Sequence, residues 1–499
     1  MKEYFMGVDI GTSSVKAVVF DFDGIQKSIG QIGYSVISSA NGKMEIDPEL
    51  VFNSMLKAVK ICMDDLGINN HAISGIGFSS QMHSLMAVDG TGEPLTGLVI
   101  WADTRARDAA AFIGCEYDTA DLYYRTGCKP DHPSYPLSKI LWLKNNYPGI
   151  FNKACKFITI KEYIIFKLFG VYCVDSTTAS SQGYYNIHGN RWDEDILNRV
   201  LGIDSSRLGD VVECTHILKG FKPEYESILG LNRDIPVAIG SGDGISANVG
   251  CGSCDEHSLS CTIGTSGAIR IMTGKPILDS QSRTWCYSFL KDKWVLGGAV
   301  NNGGIALKWL EEQFGEQFKA DASKSNNSIY KLFDKYSDEI KPGSDGLIFL
   351  PQLTGERCPD WNSGAKGLMF GLTYSHGRKH LVKAAMEGVM YRMYWVYEVI
   401  SGMCASIKEI RANGGYSESQ AWLKIQADIF GTEILVSGVS EASALGAAYL
   451  SMVSLGAADF NTLLKGMEPR MVVYPDRNNH EVYTKMYRQA MKLYNNVYS

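Results

Sequence analysis

The stretch Val8-Asp-Ile-Gly-Thr-Ser-Ser-Val15 returns as Cys261-Thr-Ile-Gly-Thr-Ser-Gly-Ala268, with Ile-Gly-Thr-Ser identical in both copies. Each copy lies between β-rich flanks. Residues 4–9 and 15–20 read as short strands around Gly11-Thr12-Ser13-Ser14, and Asp23-Gly24 supplies the turn into a next strand. A four-residue match alone carries little. Two such turns half a chain apart, in a chain alternating strand and helix patterns from end to end, predict a duplicated α/β domain around a central cleft. The junction falls near residues 246–256, where Gly, Ala, Ser and Cys dominate. Length agrees, since 499 residues at about 100–200 per domain exceed a single domain.

Composition removes several classes of function. Fifty-four acidic against 48 basic residues give a net charge of −6, and no Lys/Arg block interrupts that balance. Neither nucleic acid nor an anionic membrane is therefore an expected partner. The N-terminus passes straight into a strand pattern without an apolar leader, and no apolar run reaches the roughly 18 residues of a membrane span. Twelve scattered cysteines suit a reducing cytosol, so a cytoplasmic protein is expected. Cys251 and Cys254 form a CxxC with no second pair, which leaves a zinc site incomplete. His376 and His380 stand at i,i+4 spacing around Gly377, Arg378 and Lys379; without a Glu they read as a solvated helix start. Neither GxxxxGK[ST] nor GxGxxG occurs, which excludes a P-loop and a nicotinamide Rossmann site.

Local signals place the chemistry. Asp47-Pro48-Glu49 opens a helix whose apolar face is Leu50, Met55, Val59 and Cys62. Ile235–Ile239 reads as a strand, Gly240-Ser-Gly-Asp-Gly244 as a loop, and Ile245 onward as a helix. Residues 379–400 form a long helix pattern with Leu381, Ala385, Val389 and Tyr394 on one stripe. A strand ending at Asp9 and turning through Gly11, Thr12 and Ser13 offers N–H groups and hydroxyls to an anion, beside a carboxylate able to hold hydrated Mg²⁺. The second copy offers Thr262, Gly264, Thr265, Ser266 and Gly267, so the pair suits a polyphosphate. Ala412-Asn-Gly-Gly-Tyr-Ser-Glu-Ser419 is a third glycine-rich turn. It fits either an adenine or ribose against bare backbone, or a strand-to-helix turn capped by Ser417. Asp243 fits either a base for an attacking hydroxyl or a helix N-cap.

Taken together these motifs resemble the FGGY carbohydrate kinases over nearly the whole chain, from Gly7 to about Leu455. Ser134-Tyr-Pro-Leu-Ser-Lys-Ile-Leu-Trp-Leu-Lys-Asn-Asn146 is similar to the family's first signature. Gly367-Leu-Met-Phe-Gly-Leu372, with His380-Leu and Ala384-Ala-Met-Glu387, is similar to its second. The resemblance implies two actin-like (ribonuclease H-like) ATPase domains, at 1–248 and 249–460, followed by a helical segment at 461–499. It implies ATP and Mg²⁺, with Asp9 organising the metal, Gly11, Thr12 and Ser13 as one phosphate hairpin, and Gly264, Thr265 and Ser266 as the other. Gly414 and Gly415 match the adenosine turn and Asp243 the catalytic base. Gln81-Met82-His83 and Trp101-Ala102-Asp103 match sugar-binding segments, and Asn301-Asn302-Gly303-Gly304 a stretch flanking the nucleotide. Homodimerisation is a family-level expectation.

Ser79–Ser84, Trp101–Arg105, Pro136–Lys139, Lys161–Tyr163 and Thr265–Arg270 look like the gluconate kinases within that family, which implies D-gluconate as acceptor. Its carboxylate calls for a cation or dense donors, for which His83, Lys161, Arg105 and Arg357 are the candidates. Gln81-Met82-His83 is instead similar to xylulose kinases, so a pentulose or polyol is the alternative substrate. A non-catalytic actin-like ATP-binding protein is the alternative of another class; Asp243 opposes it, since a nucleotide switch needs no base for an alcohol.

Overall fold

Val8, Val15, Ala17 and Val19, all buried, make a hairpin of Tyr4–Ile10 and Ser14–Asp21, with Val8 opposite Ala17 and Ile10 opposite Val15. The computed structural model describes residues 4–67, 72–325, 328–465 and 467–498. After a turn with Gly24 at φ +77°, Gln26–Gly33 extends the sheet antiparallel to Ser14–Asp21. On the other side Ile73–Ser80 runs parallel to Tyr4–Ile10, and Val237–Gly242 runs parallel to Ile73–Ser80. Register sets Asp9 beside Ser79, and Ser79 beside Ser241. These three residues thus stand abreast at the carboxyl ends of parallel strands, where open α/β sheets collect ligands.

The helix Pro48–Leu66 covers one face of this sheet. Asp47 caps it by accepting from the Glu49 and Leu50 N–H groups, and Pro48 fills its first turn. Its buried stripe runs through Val51, Phe52, Met55, Val59 and Cys62. Leu50, expected on that stripe, is 41% exposed. Val51 and Phe52 occupy the inward arc, rotating the apolar face past it. The helix Ala442–Ser454 also packs on this sheet, against the strands Tyr4–Ile10 and Ile73–Ser80 and the helix Asp243–Gly250. Its backbone comes so close that a Cβ on Gly7 would stand 1.8 Å from the Ala444 carbonyl oxygen, and one on Gly77 1.9 Å from that of Ala447. Both strand positions therefore require glycine.

In a second unit Ser258–Ile263 pairs antiparallel with Gly267–Thr273 and parallel with Glu409–Asn413. Ile434–Val436 continues the parallel run, and Met471–Val473 closes it antiparallel. Hairpin, parallel neighbour and next parallel neighbour recur in the same order as in the first sheet. The repeat seen in sequence is therefore a repeat of sheet topology. The helix Arg378–Met403 extends the 379–400 pattern by a residue at its start and three at its end, and buries Val382, Ala385, Val389, Met393 and Val396.

The fold is two-domain α/β, but neither compact unit is continuous in the chain. One comprises Met1–Cys254, Thr273–Leu296 and Glu441–Met467; the other comprises Asp255–Met272, Gly297–Ser440 and Glu468–Ser499. The loop expected at Gly240–Gly244 is not a loop. The strand continues to Gly242 and the helix starts at Asp243, with Gly242 as its N-cap. Among the described residues no helix is long and apolar enough to cross a membrane.

Candidate active site

In the first unit, the turn after Ile10 closes with the Gly11 N–H on the Ser14 carbonyl at 3.0 Å. Side chains from three other segments fasten it. The Tyr34 hydroxyl donates to the Gly11 carbonyl at 2.5 Å, and the Gln81 side-chain amide donates to the same oxygen at 3.2 Å. The Trp101 indole N–H reaches Thr12 Oγ1 at 3.3 Å, and that hydroxyl points to Gln81 Oε1 at 3.5 Å. Gln81 and Trp101, expected in sugar-binding segments, are thus built onto the first hairpin itself.

Asp9 lies behind this turn and accepts from the Ser79 hydroxyl at 2.7 Å. Burial pushes its carboxyl up to about 6; Ser79 pulls the other way, and the negative charge of Asp243 adds to the rise. Two carboxylates that feel each other in this way, next to a donor-rich turn, form a site that gains from a cation. Asp243 is half-buried, and its Oδ1 accepts from the Gly244 N–H at 2.7 Å. As first residue of its helix it sits where the macrodipole favours an anion. Asp243 is not the N-cap, which was the competing expectation for it. Met82 packs against Gly242, where a Cβ would fall 2.6 Å from Met82 Cγ.

His83 adopts φ +61°, a left-handed conformation that costs a non-glycine residue. Its Nε2 lies 3.1 Å from the Tyr287 hydroxyl, and its ring packs edge-on against Tyr135. The backbone is held by Lys139, whose ammonium donates to the carbonyls of His83 at 2.6 Å and Ile100 at 2.8 Å. One buried lysine therefore ties the segment of Gln81–His83 to that of Trp101–Asp103. Sequence reasoning gave Lys139 no role. Its signal was a lysine among Leu137, Ile140 and Leu141 on a helix otherwise buried there. Burial lowers it to about 7.

Three expected substrate-facing groups are committed elsewhere. Asp103 is buried, accepting from the Met44 N–H at 2.8 Å and from the Arg105 guanidinium. Arg105 pairs with Asp103 and Glu45 and stacks on Trp142, so its charge is engaged. Lys161 is only 1% exposed, and its ammonium lies 2.5 Å from Asp175 inside the first unit. It offers no surface to a sugar acid.

In the second unit, the turn Gly264–Ser266 closes with the Gly264 N–H on the Ser266 carbonyl at 2.9 Å. Backbone groups grip it: the Gly304 N–H donates to Gly264 O at 2.7 Å, and the Gly303 and Ile305 N–H groups to Thr265 O at 3.1 Å each. This places Asn301–Gly304 against the second hairpin. Asn301 and Asn302 are fixed in turn by buried Glu356, and Arg357 donates to Asn301 Oδ1 at 2.8 Å. Beside the hairpin lies a cavity of about 480 Å³, its walls including Thr265, Ile305, Tyr330, Phe333, Gly415 and Trp422. A mostly apolar pocket of that size suits an aromatic base with its ribose. Gly414, at φ +89°, brings the third glycine-rich turn within 2.8 Å of the Ile263 carbonyl oxygen, measured from where a Cβ would stand. Ser417, expected to cap the next helix, bonds Gly414 O instead; Ser419 is the cap.

Cys251 and Cys254 are buried, and no group of three or more His, Cys, Asp or Glu residues able to hold a metal occurs among the described residues. His376 and His380 both bond Asp345 at the start of the helix Arg378–Met403.

Residues 4–250 match the N-terminal domain, and residues 259–455 the C-terminal domain, of the FGGY family of carbohydrate kinases. The chain belongs to that family. Over 500 residues it is 38% identical to a gluconokinase of Bacillus licheniformis, covering 100% of this chain and 96% of the relative. The crystal structure of a gluconate kinase from Lactobacillus acidophilus superposes with a TM-score of 0.92 at 30% identity, covering 100% and 98% of the two chains. A ligand-bound xylulose kinase from the same organism also reaches 0.92 at 30% identity, covering 99% and 98%. The sugar kinase fold is thus common to relatives with different acceptors. This carbohydrate kinase carries both domains of its family.

Proposed function

We propose that the protein transfers the γ-phosphoryl group of ATP to a sugar acid, D-gluconate, giving 6-phospho-D-gluconate and ADP. The observation that carries the choice of acceptor is whole-length identity of 38% to a gluconokinase, against 26% to a xylulose kinase of Staphylococcus xylosus over 99% of this chain. In this reading the nucleoside occupies the cavity beside Gly415, and the turns at Gly11–Ser13 and Gly264–Ser266 offer N–H and hydroxyl donors to phosphate oxygens. Met82, His83 and Trp101 face the sugar while buried Gln81 holds the first hairpin, with His83 reading the carboxylate now that Lys161 and Arg105 are engaged.

Asp243 accepts the proton of the attacking hydroxyl as the new oxygen–phosphorus bond forms and ADP departs with the bridging oxygen. The residues fit a magnesium ion: Asp9 is a buried carboxylate whose ionisation burial and Asp243 oppose, and Mg²⁺ is commonly held by one or two carboxylates plus substrate phosphates. Asp9 would hold it, and bound Mg²⁺ supplies neutralisation of phosphate charge. A coupled ADP-release assay over gluconate, xylulose, ribulose and glycerol tests the reading. Gluconate is expected to give the highest kcat/KM; a higher value with xylulose would discard the acceptor while keeping the kinase.

A further inference from the structure

The strand that delivers Asp243 runs out of neighbours before it ends. On its outer edge Ile217–Leu218 pairs only with Val237 and Ala238, while the strand continues, fully buried, to Gly242. Buried peptide groups left over on that edge must find partners. The Ile239 and Gly240 N–H groups donate to the carbonyls of His216 and Cys214. Past that point side chains take over. The Lys161 ammonium donates to Ser241 O at 2.9 Å and Ile239 O at 3.4 Å, and Thr177 Oγ1 accepts from the Gly242 N–H at 2.8 Å.

The Ser241 carbonyl and the Gly242 N–H are the two poles of one peptide plane, so that plane is held at both ends. The two holders are themselves joined. The Thr177 hydroxyl donates to Asp175 Oδ1, and Asp175 Oδ2 lies 2.5 Å from Lys161 Nζ. Asp175 also caps the short helix Ser176–Ser180 through the Thr178 N–H. Lys161 is 1% exposed, Asp175 and Thr177 0%. Burial works to raise the Asp175 carboxyl, yet the Lys161 ammonium together with the hydrogen bonds from the Thr177 hydroxyl and the Thr178 N–H outweighs it and holds the group below the usual carboxylate range. A buried ion pair of this kind adds little net stability over well-packed apolar residues, so its value lies in what it orients. The next residue after the clamped peptide is Asp243, and an error of about 1 Å in a reacting group can cost about 10²-fold in rate.

We propose that Lys161, Asp175 and Thr177 form a clamp on the Ser241–Gly242 peptide that fixes the aim of Asp243, making them positioning residues for proton transfer. The proposal rests on the reading of Asp243 as the base. The test uses the full chain with Thr177→Val, which keeps the side-chain volume but removes the link between Gly242 and Asp175. Steady-state kinetics with gluconate and ATP are read beside calorimetric dissociation constants for each and the melting temperature. The expected result is a fall in kcat of about 10–100-fold, with both dissociation constants within a factor of two, and recovery of most of kcat in Thr177→Ser. Lys161→Met should lower kcat in the same direction. If Thr177→Val keeps kcat within twofold while Asp243→Asn abolishes turnover, the clamp is wrong and the base stands. If binding and melting temperature fall together with kcat and serine restores none of them, the network is merely structural and the proposal fails. If Asp243→Asn itself turns over normally, the base reading fails and the clamp has nothing to aim.

Discussion

In the first unit the Ile-Gly-Thr-Ser turn is fastened by the side chains of Tyr34, Gln81 and Trp101 in addition to the Tyr34 and Gln81 backbone N–H groups, whereas the second is gripped by the backbone N–H groups of Gly303, Gly304 and Ile305. The residue before the shared motif differs as well. Asp9 accepts from Ser79 in one copy; Thr262 donates to Asn413 Oδ1 at 2.6 Å in the other. The second turn also closes one residue tighter, Gly264 to Ser266 rather than Gly11 to Ser14. What the repeat keeps is a donor-rich backbone shape. What surrounds it differs: one copy has two carboxylates and sugar-segment side chains, the other an apolar cavity. On the proposed function, charge chemistry and nucleoside recognition fall to different units.

The largest expected effect breaks that assignment if it is wrong. Asp243→Asn keeps the helix start but cannot take a proton at neutral pH, so single-turnover phosphoryl transfer should slow by about 10²–10⁴-fold with ground-state binding little changed. Near-normal transfer in a folded variant would return Asp243 to a structural role. Next come the paired threonines. Thr265→Val should raise the KM for ATP by about 10-fold, the worth of a hydrogen bond to a charged group, and leave calorimetric gluconate binding intact. Thr12→Val removes the partner of the Trp101 indole, so it should weaken gluconate binding as well. Equal effects of the two on gluconate would erase the distinction between the hairpins.

A smaller effect sharpens the nucleoside side. A Cβ at Gly415 meets nothing within 4 Å, so Gly415→Leu should fold normally while filling part of the cavity. ADP affinity measured calorimetrically should drop by several-fold, with gluconate affinity unmoved. The smallest concerns Lys139. Its folded value is lowered by burial to about 7 from 10.5, so between those values the unfolded chain binds a proton that the folded chain does not. Stability therefore rises with pH across that window, by up to about 1.4 kcal/mol per unit. Melting temperatures of the wild type relative to Lys139→Met should climb by a few degrees from pH 7 to 9; a flat difference would mean that Lys139 stays charged.

Much of this was legible in the chain. The strands around Gly11 and Gly264, the Asp47 cap and the long helix from residue 378 all follow from local patterns of turn residues and apolar spacing. Asp243 was visible as a residue worth weighing, but the glycines around it read as a loop. Its true setting, a strand running directly into a helix, depends on partners more than 60 residues away in Lys161 and Thr177. The same blindness applied to Lys161 itself. A lysine looks like a surface cation until the fold supplies the buried Asp175 that holds it. Lys139 stands inside two of the recognised motifs, but its role is not legible there because its partners are backbone carbonyls, which no residue identity reports.

The helix Ala442–Ser454 carries a consequence for the order in which the chain is made. Its backbone seals against Gly7 and Gly77, yet it leaves the ribosome long after both. Between the emergence of Gly250 and Ala442 lie roughly 190 residues, about 10–40 s of synthesis at ordinary rates. Throughout that interval the first sheet must wait with the face of Gly7 and Gly77 uncovered, presenting Phe5, Val18 and their neighbours to the cell. A nascent chain halted between the two family domains should therefore bind chaperones or aggregate. The compact first unit takes in Glu441–Met467, far beyond the end of the first family domain at residue 250.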